Sequence, residues 1–286
     1  MNNLEEPTLF EARKWASFRI QSIKQLDMYD IDFLIQKRFG FSTAEMLVHY
    51  HDRLIAKDWR RFQNDVNRLI HGEPVQYIVQ QADFYGMTLK VTPAVLIPRV
   101  ETEELIDWIL KETESNRMEP LKVLDIGTGS GAIAIALKKN RPAWQLTASD
   151  ISEAALAVAS QNARNQGVHL NLILSDVFET IKDRFDLIIS NPPYISSSET
   201  AYMDESVLNN EPKLALFAAD NGLAVYKKIA AGIDIHLKPG GRLFVEIGFH
   251  QEMAVSRLFS TVPKAVVTTR HDVSGHQRMI ELRKEN

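Results

Sequence analysis

The chain contains no cysteine, which removes disulfide staples, thiolate nucleophiles and thiolate-bound metals from any account of it. Such a chain suits a reducing compartment, and a cytoplasmic location is expected. Long apolar runs are also missing. No stretch approaches the roughly 20 residues needed to span a bilayer, and Met1 to Pro7 is polar and acidic, without a basic start leading into an apolar segment. Neither membrane insertion nor secretion is expected. A strong charge of one sign is absent too: the formal net charge is -4, residues 1–90 balance, and the remainder carries the deficit. Proteins that grip a phosphate backbone usually present a basic surface that gains from counterion release, so no direct nucleic-acid partner is expected. The 8 histidines include no H-E-x-x-H or comparable ligand spacing, so no metal is expected either.

What is present is length and apolar content. The 286 residues, 45% of them hydrophobic, are enough for one large domain and a small one, and a monomer is expected. Residues 1–73 read as a helical module. Phe10 to Leu26 and Asp30 to Phe39 carry helical spacing, Ser42-Thr43-Ala44-Glu45 is a capping box, and Trp59, Phe62, Val66, Leu69 and Ile70 recur at helical spacing after a candidate Asp58 cap until Gly72 stops them. Residues 74–97 alternate β-branched and aromatic side chains around Gly86 and Pro93, the pattern of a β-hairpin linker. Residues 98–286 begin with a short helix opened by Thr102 and then alternate strand-like and helix-like segments. Strands are expected at Lys122 to Ile126, Gln145 to Ser149, Asn171 to Leu174, Phe185 to Ser190, Gly241 to Ile247, Ala265 to Thr269 and Arg278 to Leu282. The alternation predicts an α/β fold with a seven-stranded, mostly parallel sheet covered on both faces.

Val123 to Ile126 runs into Gly127-Thr128-Gly129-Ser130-Gly131 and then an Ala-rich helix. Glycines at alternate positions let the backbone turn tightly and approach a ligand that a Cβ would obstruct. The spacing is G-x-G-x-G, neither the dinucleotide fingerprint nor a P-loop, since no Lys follows the last glycine. The second strand ends in Asp150, whose carboxylate is read as accepting both hydroxyls of a ribose, with capping of the helix Ser152 to Asn165 as the competing role. Asp176 and the backbone of Val177, after the third strand, are candidates to meet an adenine amino group; a plain turn acid competes with this for Asp176.

Phe185 to Ser190 is followed by Asn191-Pro192-Pro193-Tyr194. In open α/β sheets the carboxyl ends of the strands face the ligand, and two prolines fix the backbone and remove competing N–H donors. This combination suits a planar NH2 group, whose lone pair is delocalised and poorly nucleophilic. Donating one hydrogen to the Asn191 side-chain oxygen and the other to the Pro192 carbonyl orients the nitrogen and raises its electron density. Tyr194 is expected to lie against the acceptor plane. The logic serves the exocyclic amino groups of adenine, cytosine and guanine as well as a glutamine side chain, and the tetrapeptide does not choose among them.

Leu121 to Gly131 with Asp150 resembles the cofactor half of class I methyltransferases, which have a Rossmann-like fold. The resemblance implies S-adenosyl-L-methionine as cofactor, with Asp125 and the loop backbone along its methionine part and Asp150 on its ribose. A longer ordered set adds Gly72-Glu73-Pro74-Val75-Gln76-Tyr77-Ile78, Phe84-Tyr85-Gly86, Leu96-Ile97-Pro98-Arg99, Glu101-Thr102-Glu103, Glu211-Pro212, Ala215-Leu216 and Glu246-Ile247-Gly248. Together these are similar to the release factor glutamine methyltransferases (PrmC/HemK family). That resemblance implies methylation of the glutamine in the Gly-Gly-Gln motif of bacterial peptide chain release factors, with the N-terminal module docking the protein substrate. Phe84, Arg99, Thr102, Glu103, Asp125 and Glu246 are candidates to line the cleft; capping for Thr102, a first-turn acid role for Glu103 and a buried structural role for Glu246 compete with this. Val100, Gln80 and Val177 depart from the family pattern, where a proline, a glycine and an aromatic are common, and the departures bear on cofactor affinity. Two rival classes remain: a nucleic-acid amino-methyltransferase and a non-catalytic scaffold of the same fold.

Overall fold

The computed structural model describes residues 6–286. It divides into two compact units, one of residues up to Gln81 with Asp204–Asn210, the other of Ala82–Met203 with Glu211–Asn286. Among the described residues no helix is long and apolar enough to cross a membrane.

The first unit is helical, with helices at Leu9–Ile20, Met28–Phe39, Thr43–Val48, Ala56–Ile70, Val75–Val79 and Glu205–Asn210. Reciprocal capping boxes at Thr8/Glu11, Asp27/Asp30 and Ser42/Glu45 start three of them, satisfying amides that the first turn leaves without partners. Ala12, Ala16, Ile31, Leu34, Phe62, Val66 and Leu69 meet in the core. Arg38 grips Asp65 through two N–H groups, at 2.6 and 3.0 Å, and gives a third bond to the Ile78 carbonyl. Ser206 and Asn210 both donate to the Gly72 carbonyl, fastening the last helix to this unit.

Three local expectations shift here. The first helix stops at Ile20 instead of running to Leu26. Asp58 does not cap: Ile55 is the N-cap residue without a side-chain bond, and Asp58 lies within the first turn, where its charge favours the helix dipole. Val75–Val79 is a helix despite its β-branched residues, entered after Pro74 and closed by Gln80 at φ +60°. The hairpin is therefore shorter than residues 74–97, with β1 (Gln81–Phe84) and β2 (Met87–Lys90) joined by Tyr85 and Gly86, both at positive φ. Two such residues match the right-handed twist of the flanking strands.

The second unit is built on a seven-stranded sheet. Its strands are β3 (Lys122–Ile126), β4 (Gln145–Asp150), β5 (Asn171–Leu174), β6 (Phe185–Ser190), β7 (Leu237–Glu246), β8 (Ala265–His271) and β9 (Gln277–Lys284), in the order β5-β4-β3-β6-β7-β9-β8. The first five are parallel and β9 pairs antiparallel with both β7 and β8. This is the class I methyltransferase sheet. The expected strand set is present, with β7 beginning earlier, at Leu237, where a register shift against β6 accommodates Pro239 to Gly241. Successive residues serve opposite faces: Val123, Leu187 and Phe244 pack into one core with Ile106, Ile109 and Ala136, while Leu124, Ile188 and Val245 pack into another with Tyr226, Ile229 and Val255. Burial on both faces explains why these strands read as nearly continuous apolar runs.

β3 connects outward to β4 on one side and neighbours β6 on the other. The crevice at such a reversal is where open α/β sheets bind ligands. Ile126 is paired with Ser190, so the glycine turn and the Asn191 tetrapeptide leave adjacent strands side by side.

Candidate active site

A cavity of about 460 Å³ opens at that reversal, within the usual range for small-molecule sites. Gly127, Thr128, Gly129 and Ser130 line it together with Asp150, Asp176 and Val177, and so do Asn191, Pro192 and Pro193. The donor-side and acceptor-side motifs thus face one space. Gly131 is at the N-cap of the helix Ala132–Asn140, and a Cβ there would sit 3.1 Å from Ile135 and 3.2 Å from Ala159. Its glycine serves helix packing. All three have positive φ, but Gly127 and Gly129 differ in that a Cβ on either would meet nothing within 4 Å, which leaves the backbone open to a ligand.

Asp150 holds the loop in place. One carboxylate oxygen accepts from the Gly129 amide at 2.9 Å and the other from the Ser152 amide at 2.9 Å. The helix cap proper is Ser152, whose hydroxyl accepts from Ala155. Burial pushes the Asp150 carboxyl up, opposed by the backbone bonds from Ser152, Gly129 and Ile151. Asn162, which the sequence did not single out, supports the loop from beneath by donating to the Ser130 carbonyl and to the Lys90 carbonyl. Asp176 pairs with Lys228, another lining residue absent from the sequence expectations. Val177 has φ +53°, a conformation that a β-branched residue rarely takes; the Ser175 hydroxyl donates to its carbonyl.

Asp125 is fully buried beneath the turn and is not a lining residue. Thr128 Oγ1 donates to its Oδ2 at 2.7 Å, and Oδ1 has no hydrogen-bond partner among the described residues. Burial pushes this carboxyl up to about 7, with the Thr128 bond and the Ala134 backbone amide working against the shift.

On the acceptor side, Asn191 Nδ2 donates to Thr102 Oγ1 at 3.0 Å, and Thr102 Oγ1 in turn approaches Glu246 Oε2 at 2.7 Å. Thr102 lines the cavity; Glu246, at the end of β7, stands behind it. Burial pushes the Glu246 carboxyl up to about 7, against the Thr102 bond and the charge of Arg278. Thr102 is inside the helix Val100–Glu112, not at its cap, which is Arg99. Arg99 also lines the cavity and is anchored by Glu211, a buried acid that accepts from the Ile97 amide as well.

Tyr194, Phe84 and Glu103 are outside the lining. Tyr194 packs against the β6–β7 core with its hydroxyl 3.4 Å from Glu246 Oε1, and its carbonyl accepts from Gln251 Nε2 at 2.8 Å. Phe84 is a core residue and Glu103 accepts from the Tyr85 amide. Gln251 was invisible in the sequence, because its role depends on loops 57 residues apart meeting. Among the described residues no group of three or more His, Asp and Glu side chains is placed to hold a metal ion.

The residues present fit S-adenosyl-L-methionine. Two cradle glycines leave open space where a Cβ would project, and Asp150 presents a partly desolvated carboxylate at the position suited to a ribose diol. Asp176 and the Val177 backbone line the far side, where an adenine would be met.

Comparison with known proteins identifies the family. The PrmC N-terminal domain model matches residues 11–79 and the methyltransferase small domain model matches residues 107–214. The release factor glutamine methyltransferase of Streptococcus pneumoniae is 43% identical over 273 residues, 94% of this chain and 96% of that protein. That of Lactococcus lactis subsp. lactis is 42% identical over 258 residues, 90% of this chain and 94% of that protein. A T. thermophilus 16S rRNA methyltransferase solved in complex with AdoMet and guanosine superposes with a TM-score of 0.53 at 18% identity, covering 72% of this chain and 50% of that one, which speaks for the fold alone. With both family models in order along the sequence and relatives matched over nearly its whole length, the chain belongs to the release factor glutamine methyltransferase family.

Proposed function

We propose that this chain transfers a methyl group from S-adenosyl-L-methionine to the side-chain amide nitrogen of the glutamine in the Gly-Gly-Gln motif of bacterial peptide chain release factors. The observation that carries the reading is that the glycine turn and Asn191-Pro192 open onto the same cavity. S-adenosyl-L-methionine supplies an electrophilic methyl on a sulfonium. Gly127 to Ser130 and Asp150 would hold the donor, with Asp176 and Val177 available to its adenine. Asn191 Oδ1 and the Pro192 carbonyl accept the two amide hydrogens, which orients the nitrogen and enriches it in electron density. Pro193 stiffens that backbone. No base needs to act before transfer, because the amide nitrogen becomes acidic only as its new bond forms; alignment in a water-poor pocket supplies most of the acceleration.

The helical unit is read as the module that docks the release factor. Its balanced charge supports a protein partner over a nucleic acid. The same reading has the enzyme act as a cytoplasmic monomer. The test is peptide mass mapping of a purified release factor after incubation with enzyme and cofactor. A single added methyl on the Gly-Gly-Gln glutamine is expected; labelled methyl appearing on DNA or RNA and none on the release factor overturns the assignment.

A further inference from the structure

We propose that Glu246 is a positioning residue that acts through Thr102 to lock the Asn191 side-chain amide with its oxygen toward the acceptor nitrogen. The inference rests on the reading of Asn191 as the group that receives the substrate NH2. An amide side chain has two faces of opposite hydrogen-bonding character, and inversion would put Asn191 Nδ2 where Oδ1 is needed, setting donor against donor. Something must choose the orientation.

The choice follows from proton counting. Thr102 Oγ1 has one proton and lies 2.7 Å from Glu246 Oε2 and 3.0 Å from Asn191 Nδ2. An ionised carboxylate only accepts, so the threonine proton is committed to Glu246. The hydroxyl then has only lone pairs left for Asn191, and only the NH2 end of the amide can meet them. Glu246 is buried behind the cavity wall that Thr102 forms, so the carboxylate has Thr102 rather than bulk water as its hydrogen-bond donor on that side. The rest of the surroundings hold Glu246 still. Tyr226, from the helix Ala224–His236, donates its hydroxyl to the Glu246 carbonyl at 2.8 Å, and the Tyr194 hydroxyl lies 3.4 Å from Oε1.

The arrangement has a built-in condition. A protonated Glu246 can donate to Thr102, the hydroxyl can then turn its own proton toward Asn191, and the amide is free to invert. Arg278 on β9 favours the ionised acid, while Glu101 at the start of the helix Val100–Glu112 and burial oppose it. With this carboxyl pushed up to about 7, the orientation is secured as pH rises through neutrality and relaxed below it.

The test uses the full-length enzyme, a release factor as substrate, and the variants Thr102→Val, Thr102→Ser and Glu246→Gln. Thr102→Val keeps the shape and removes the hydroxyl, so kcat is expected to fall about ten- to hundred-fold while KM for the release factor changes little, the pattern for losing orientation alone. Thr102→Ser restores the hydroxyl and recovers most of that loss. Glu246→Gln removes the acid limb near pH 7 from the wild-type kcat profile. Cofactor affinity measured by calorimetry stays within about threefold in all three, a margin below 1 kcal/mol. A readout independent of turnover is exchange of the Asn191 side-chain amide protons, slow in the wild type and about tenfold faster in Thr102→Val.

The relay is overturned if Thr102→Val retains kcat, if Thr102→Ser is no better than Thr102→Val, if Glu246→Gln keeps the acid limb, or if cofactor binding falls in step with kcat. Wild-type methylation of the release factor with unaffected variants sinks only the relay. Absence of methylation by the wild type sinks the functional reading beneath it.

Discussion

Replacing Asp125 by asparagine changes how stability depends on pH, and the sign of the change follows from where this carboxyl sits. It is fully buried, Oδ1 has no hydrogen-bond partner among the described residues, and Asp150 nearby adds a repulsion of the same sign as burial. The folded protein therefore holds its proton up to about pH 7, whereas the unfolded chain releases it near the ordinary 3.8. Between those values the native state binds more protons than the unfolded one, so stability is lost as pH rises through the window. A rise from 3.8 to about 7 corresponds to on the order of 4 kcal/mol across the whole interval. The amide in Asp125→Asn would keep an oxygen for the Thr128 hydroxyl and would not titrate. Urea unfolding followed by circular dichroism from about pH 4.5 to about pH 8 should show this variant gaining on the wild type by on the order of 3 kcal/mol, the rest of the window lying below the starting pH. Glu246 titrates in the same direction, from 4.5 to about 7, but does so in both proteins and drops out of the difference. Parallel stability curves for the two proteins would refute the reasoning, since they would mean that Asp125 ionises in the folded state as it does in water.

Asp150→Ala removes the charge-assisted bond to Gly129 that holds the glycine turn and the carboxylate assigned to the two ribose hydroxyls; at about 1.5–3 kcal/mol for each lost hydroxyl bond, cofactor binding by calorimetry should weaken at least about a hundredfold, and an unchanged Kd refutes the assignment. Gly222→Ala places a Cβ on the Tyr194 carbonyl oxygen at φ +82°, which should displace the tetrapeptide and lower kcat; a variant with wild-type turnover and Tm would show that this contact does not position Asn191. Arg38→Leu takes from the buried Asp65 carboxylate its bidentate partner and leaves only the longer Arg68 contact at 3.8 Å, which costs at most about 3–5 kcal/mol. Hydrogen exchange should report the loss within the helical unit, and unchanged protection of Phe62 to Leu69 would contradict it.

The glycine turn, Asp150 and the Asn191 tetrapeptide were readable because each is a local motif at the carboxyl end of a strand, and the strand order places such ends together. β3, β6 and the second half of β7 are legible because burial on both faces makes their apolar runs nearly continuous, while the edge strands β5 and β8, which have no buried residue, are legible only from their place in the strand-helix alternation; β7 extends further where a bulge absorbs Pro239 to Gly241. Residues 75–79 misled because β-branched content is a weak local preference: Pro74 on one side and a left-handed Gln80 on the other enclose a single helical turn whose side chains are buried in the helical core. The supporting residues were hidden for a different reason. Thr102 meets Glu246 across 144 positions and Asn162 reaches Lys90 across 72, contacts with no signature in spacing or composition. Thr102 and Glu246 were suspected separately as cleft residues, but their order could emerge only once the single hydroxyl proton was placed. That order separates what a motif specifies from what the fold adds. The tetrapeptide supplies an amide able to accept or donate, and elements far away in sequence decide which end faces the substrate.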